Sequence, residues 1–121
     1  MGDILNGTKK GKTMTTKDKF NYGHYKCQFV KGEYGNGNLA LELMGAEGSE
    51  YEGEPIARVT INPGCQIPDD CIAIKDYSEN DGMVDFCKNL GIISDLVATI
   101  SSGWVEIPVY RLSESGLEIF N

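Results

Sequence analysis

Apolar residues in this chain recur with a period of two in most segments and with a helical period in one, and that contrast restricts the fold more than any other feature. Strand side chains alternate between two faces, whereas positions i, i+3, i+4 and i+7 share one stripe of a helix. In "IKDYSENDGMVDFCKNLGI", residues 74–92, Met83, Phe86, Cys87 and Leu90 fall at that helical spacing. A helix of about three turns over residues 80–90 is expected. Ser78 or Asn80 reads as its N-cap, with Asp81 three residues after Ser78 in the manner of a capping box, and Gly91 reads as its stop. Acidic groups in a first turn gain about 0.3–1 kcal/mol each from the helix dipole, so the acidic crowding at 76–81 has a structural cause before any chemical one.

The alternating segments read as strands. "YKCQFVK" (25–31) leads into the turn-forming "GEYGNG". "NLALELM" then sets Leu39, Leu41 and Leu43 on one side and Ala40, Glu42 and Met44 on the other. "PIARVTI" places Ala57, Val59 and Ile61 together, with Arg58 and Thr60 opposite. The acidic, turn-rich "GAEGSEYEGE" between these strands is expected to be an exposed connection with weak order. "NPGCQIPDD" must be a loop ahead of the short strand "CIAIK".

After the helix, Leu96, Ala98 and Ile100 alternate with Val97 and Thr99, "SSG" turns the chain, and "WVEIPVYRL" is the longest strand candidate, with Val105, Ile107 and Val109 on one face. Pro108 has no N–H to give a ladder, which predicts an edge or a bulge there. The tail "SESGLEIFN" offers a last strand or a patch of Leu117, Ile119 and Phe120 packed on the core. The fold class that results is α+β: an antiparallel sheet of five to six strands with one helix on one face. A flexible basic leader (1–20) precedes one globular domain (21–121), and Met14 is an alternative start.

A chain of 121 residues builds one hydrophobic core. Net charge is −7, divided unevenly: residues 1–31 hold seven Lys against two Asp, and residues 32–121 hold four Lys or Arg against sixteen Asp or Glu. An acidic body repels nucleic acid and attracts basic protein surfaces. No apolar run reaches the roughly 20 residues of a membrane span and no signal-peptide pattern appears, so a cytoplasmic protein is expected. The four cysteines form no C-x-x-C pair and read as reduced, partly buried thiols, with a Cys65–Cys71 disulfide as the alternative.

Chemistry is limited by what is missing. Nucleophilic catalysis needs a base, and the one imidazole, His24, sits three residues from Cys27, on the opposite face of a strand beginning there. Asp76, Glu79, Asp81 and Asp85 are hard oxygen donors, but their spacing lacks the EF-hand's central Gly and twelfth-position Glu. As an acid–base pair they lack an environment that raises one pKa. Gly35 and Gly37 precede no helical pattern, so they make no phosphate loop, and Lys9, Lys10 and Lys12 read as solvated. No enzyme activity, metal or cofactor is expected, and direct nucleic-acid binding is disfavoured.

"KDYSEN" with the helix after it, and "SGWVEIPVYRL", carry a resemblance over roughly residues 25–112. The chain resembles a bacterial domain family of unknown function carried on phages, plasmids and conjugative elements. That resemblance implies a mobile-element setting, in which small acidic proteins block host defence systems by occupying basic nucleic-acid channels. The expected function is therefore a non-enzymatic binding protein, such as an anti-CRISPR inhibitor, acting on a basic protein partner through Glu47, Glu50, Glu52, Glu54, Asp76, Glu79 and Asp81. The alternative is an accessory module of the element that self-associates, as a homodimer, through the strand edge at "WVEIPVYRL".

Overall fold

The computed structural model describes residues 14–120, and residues 1–13 of the expected leader lie outside them. The alternating segments form eight strands: β1 (Met14–Thr15), β2 (Phe20–Tyr22), β3 (Tyr25–Glu33), β4 (Leu39–Gly45), β5 (Pro55–Arg58), β6 (Cys71–Ala73), β7 (Ile93–Ser102) and β8 (Val105–Leu112). Two helices join them, α1 (Met83–Leu90) and α2 (Glu114–Phe120). The class is α+β and every strand pairing is antiparallel. The single sheet expected is divided into a five-stranded sheet, in which β1 and β2 share one edge of β3 and β4 and β5 follow on the other, and a three-stranded sheet ordered β6-β8-β7.

A bulge joins the two. Val59 and Thr60 both donate their backbone N–H to the Leu41 carbonyl, at 3.0 and 3.3 Å, so one extra residue turns the chain out of the first sheet. Ile61 then donates to the Ala73 carbonyl and Lys75 to that of Val59, which ties the second sheet on. The extra residue also reverses the alternation. Val59 stays in the main core, whereas Ile61 packs on a separate cluster of Cys71, Ala73, Ile107 and Val109, so the expected common face of Ala57, Val59 and Ile61 is broken.

The main core gathers Phe29, Leu41, Leu43, Val59, Ile72 and Ile74 from both sheets. The helical stripe reaches it as expected, with Met83 and Cys87 fully buried and Phe86 and Leu90 packed against them. The tail forms a helix rather than a strand, and of the expected patch Ile119 and Phe120 pack on the core while Leu117 stays exposed. Ser113 caps the helix by accepting the Gly116 N–H at 3.0 Å, and Phe120 meets Phe29 edge to face at 4.9 Å. Gly116 is required at that contact, because a Cβ there would lie 2.2 Å from the Ile92 carbonyl oxygen.

Two further expectations are corrected. Residues 14–20 are attached to the body rather than loose: β1 pairs with Val30 and Lys31, and buried Thr16 donates its backbone N–H to the Phe29 carbonyl at 2.9 Å. Strand β8 is the middle strand of its sheet over Val109–Arg111, where β6 and β7 flank it and Val109 is buried, and only its first residues, Val105–Ile107, run beyond the end of β6. Pro108 is accommodated because its carbonyl accepts the Ile74 N–H at 3.0 Å just where β6 ends, and no return bond is needed. Beyond that point β7 and β8 continue as a two-stranded arm to the Ser102–Val105 pair, with Trp104 at its tip. No helix among the described residues is long and apolar enough to cross a membrane.

Candidate functional site

The acidic connection is held firmly, contrary to the weak order expected of it. Gly45 donates to the Glu54 carbonyl at 2.8 Å and receives the Gly53 N–H at 3.0 Å, so the loop closes on its own stem. Ala46 is fully buried, Glu47 donates its N–H to Gln28 Oε1, Glu52 Oε1 accepts the Gly48 N–H, and Tyr51 packs edge to face on Tyr25. A Cβ on Gly45 would fall 1.7 Å from the Tyr51 carbonyl oxygen, which leaves glycine as the residue that fits. The result is a fixed platform on which Glu47, Glu50, Glu52 and Glu54 are exposed.

The second acidic group, at the entrance to α1, divides by role. Asp76 Oδ1 accepts the N–H groups of Gly82 and Met83 at 2.7 and 2.9 Å, so it is the helix cap. This corrects the expected cap at Ser78 or Asn80: the N-cap residue itself is Gly82, with φ 99, and the capping side chain arrives from six positions upstream. Asn80 is instead turned inward, where its Nδ2 donates to the carbonyls of Arg58 and Lys75. Glu79 pairs with Lys75 at 2.9 Å, whose hydrogen bond and charge hold its carboxyl below the ordinary range, and Asp81 is exposed. Gly91 ends the helix as expected, at φ 76.

The two groups share one support. Glu54 immediately precedes β5, and Asn80 is bonded to the carbonyl of Arg58 at its far end. The acidic segments therefore lie at opposite ends of one short strand, ~13 Å apart at about 3.3 Å per residue. Chemically they offer carboxylates to solvent and an electrostatic surface, with Asp76 committed to the helix.

One carboxyl is different in kind and was missed from the sequence. Glu42, only 5% exposed, has an Oε1 with no hydrogen-bond partner, and burial pushes its pKa up to about 7 against the pull of Arg58, directly opposite on β5. The outer face of β4 is covered because Tyr34 reaches across it, its hydroxyl within 3.1 Å of Thr60 Oγ1, with Val30, Ala40 and Met44 packed beneath. The available signal was that Glu42 and Arg58 both fall on the polar side of neighbouring strands. A carboxyl near pH 7 suits acid–base chemistry, but this one is closed off from solvent and so from a substrate.

The buried thiols are unactivated. All four cysteines are free; Cys27, Cys71 and Cys87 are buried, which raises each, to about 11 for Cys71 and about 12 for Cys87. His24 is exposed and stacked on Tyr25 at 4.1 Å. A cleft of about 280 Å³ between the β3–β4 turn, the 62–70 loop and α2 is lined by Lys31, Asn38, Ile67, Leu117 and Phe120 among others. It falls below the roughly 300–1,000 Å³ usual for small-molecule sites, and Asn38 spends its amide on holding the loop, donating to the Cys65 carbonyl and accepting from Ile67 N–H. Among the described residues no three of His, Cys, Asp and Glu are grouped to hold a metal ion.

No family model, curated protein or solved structure matches the chain.

Proposed function

We propose that this chain is a non-enzymatic binding protein that docks on the basic surface of a protein partner through Glu47, Glu50, Glu54 and Asp81, with Glu52 and Glu79 in support. The observation that carries the reading is that these exposed carboxylates stand on two segments pinned to the ends of one strand. Charges carried on a fixed backbone lose little loop entropy on binding, and they speed encounter with an oppositely charged surface. The mobile-element setting implied by the family resemblance suggests the groove of a defence nuclease as that surface, the role of an anti-CRISPR-like inhibitor. The test is calorimetry of the chain against such nucleases. Nanomolar to micromolar binding should weaken steeply with added salt, and should be lost on changing Glu47, Glu50 and Glu54 to Gln with Asp81 to Asn. Binding indifferent to both changes defeats the reading.

A second reading, self-association as an accessory module, is favoured by a separate observation. Leu96 and Val97 on β7, and Trp104 at the tip of the β7–β8 arm, are large apolar side chains left exposed.

A further inference from the structure

Among the described residues β7 has one neighbour, β8, so its outer edge turns backbone groups to solvent. The hairpin geometry identifies them. Gly103 and Trp104 close a two-residue turn with Gly103 at φ 61, so the flanking Ser102–Val105 pair is hydrogen-bonded across the hairpin, as is Ile100–Ile107 by alternation. Thr99 and Ser101, opposite Pro108 and Glu106, point their N–H and C=O groups the other way, to the open edge. The bulges of β7 lie before Ala98, and from Ala98 to Ser102 the ladder is regular.

We infer that this edge pairs with the same edge of a second copy of the chain, antiparallel about a two-fold axis at Ile100. The inference rests on the self-association reading above and names its surface. In this register Thr99 of each copy exchanges backbone hydrogen bonds with Ser101 of the other. The tip Trp104, 103% exposed, is carried past Ala98 to the bulged stretch of the other copy that holds exposed Leu96 and Val97, so each tip gains apolar neighbours it lacks in the single chain. Charge selects the occupant. In a chain of net charge −7, residues 96–105 form an uncharged run, which lets two acidic molecules meet without opposed carboxylates, and Asp95 at its margin is already paired with Arg111 at 3.4 Å. A basic partner gains nothing from an uncharged strand. Because the paired segment is short, the dimer is reversible rather than obligate.

Light scattering on the full chain across a wide concentration range tests this. The mass should rise from 13.3 kDa toward twice that value. Ser101→Pro removes an edge-facing N–H and the exposed Ser101 Oγ–Glu106 bond but leaves the β7–β8 backbone bonds in place, so it should hold the chain at monomer mass with an unchanged circular dichroism spectrum, whereas Ser101→Ala, which loses the same side-chain bond and keeps the N–H, should still dimerise. Trp104→Ser, at a fully exposed site, should weaken association at least tenfold. In a Cys65→Ser background, Ile100→Cys should oxidise to a covalent dimer, since like residues on the axis have Cα atoms about 4.5 Å apart, while Thr99→Cys should not. A chain that stays monomeric at every concentration overturns this inference and the self-association reading together. A dimer that survives Ser101→Pro, or that cross-links at Thr99 in preference to Ile100, overturns the β7 edge and leaves self-association to another surface.

Discussion

The β3–β4 and β7–β8 hairpins are built from the same kind of alternating sequence and end in opposite environments. In the first, Leu41 and Leu43 are fully buried on the core face, and even the outer face is covered, leaving Ala40 and Glu42 inaccessible. In the second, nearly all of β7 beyond Ile93 is open to solvent. Composition does not separate them, since "LALEL" and "LVATI" are comparably apolar. What separates them is neighbours: β4 lies between β3 and β5 and under the Tyr34–Thr60 contact, whereas β7 beyond Thr99 has only a β8 that β6 no longer accompanies. Burial in a sheet is thus decided by the partners a strand acquires, and an alternating pattern reports only which side chains share a face.

The largest test of that difference is truncation on each hairpin. Leu43→Ala should cost about 2–5 kcal/mol in urea denaturation, because it removes packed atoms from a core that cannot fully collapse around the gap. Leu96→Ala should fall within about 0.5 kcal/mol, as for surface sites generally. Equal losses at both positions would mean that the arm is packed against something in solution.

The covered outer face of β4 supplies the next effect, with a definite pH dependence. The Glu42 carboxyl is raised from 4.5 to about 7 in the folded chain, so folding is unhindered while it is protonated in both states, below about pH 4.5. Between that pH and about 7 the unfolded state loses its proton first, and stability falls as pH rises, on the order of 3 kcal/mol in total. Glu42→Gln should remove this slope: stability near wild type at pH 4, and higher by up to that amount at pH 8. Arg58, Tyr34 and Lys75 share the neighbourhood, so the difference between variant and parent, measured by denaturation at both pH values, isolates the carboxyl. A variant less stable at pH 8 would show that the ion pairing with Arg58 outweighs desolvation.

The strongest periodicities were legible from the sequence. The β3–β4 strands, the stripe of α1 and its stop at Gly91 all follow from apolar spacing and a left-handed glycine. Exposure of Glu47, Glu50, Glu52 and Glu54 also followed, since glutamates spaced among Gly, Ser and Tyr in a turn-rich segment offer no apolar face to bury. What could not be read were the places where an extra residue reverses the faces. The bulge at Val59–Thr60 sends Ile61 to a different cluster, and that near Val97 puts Leu96 opposite Tyr110 and Ala98 opposite Val109, on opposite faces. A bulge leaves no mark in composition. Helix α2 escaped because seven residues barely establish a period, and the burial of Glu42 escaped because it depends on Tyr34 reaching over from another strand.

Asp76 marks the same limit, since a cap six residues ahead of its helix is set by the fold of the intervening turn. Asp76→Ala should cost about 1 kcal/mol through two uncapped N–H groups, seen as a lower urea midpoint. Asp81→Ala, at an exposed neighbour that lacks this contact, should leave the midpoint in place.

The smallest effect lies at the tip of the arm, where it discriminates most sharply between the hairpins. Trp104 touches solvent on all sides, so in dilute solution Trp104→Ser should change stability by no more than about 0.5 kcal/mol, although tryptophan is the largest side chain in the chain. At high concentration the same substitution should lower the melting temperature relative to wild type, because a ligand that binds only the folded state, here a second copy, stabilises by mass action. A concentration-independent difference would assign Trp104 to the folding of its own hairpin. A difference that grows with concentration would assign it to contact between molecules, and would explain why a chain so careful to cover both faces of β4 leaves its one indole in water.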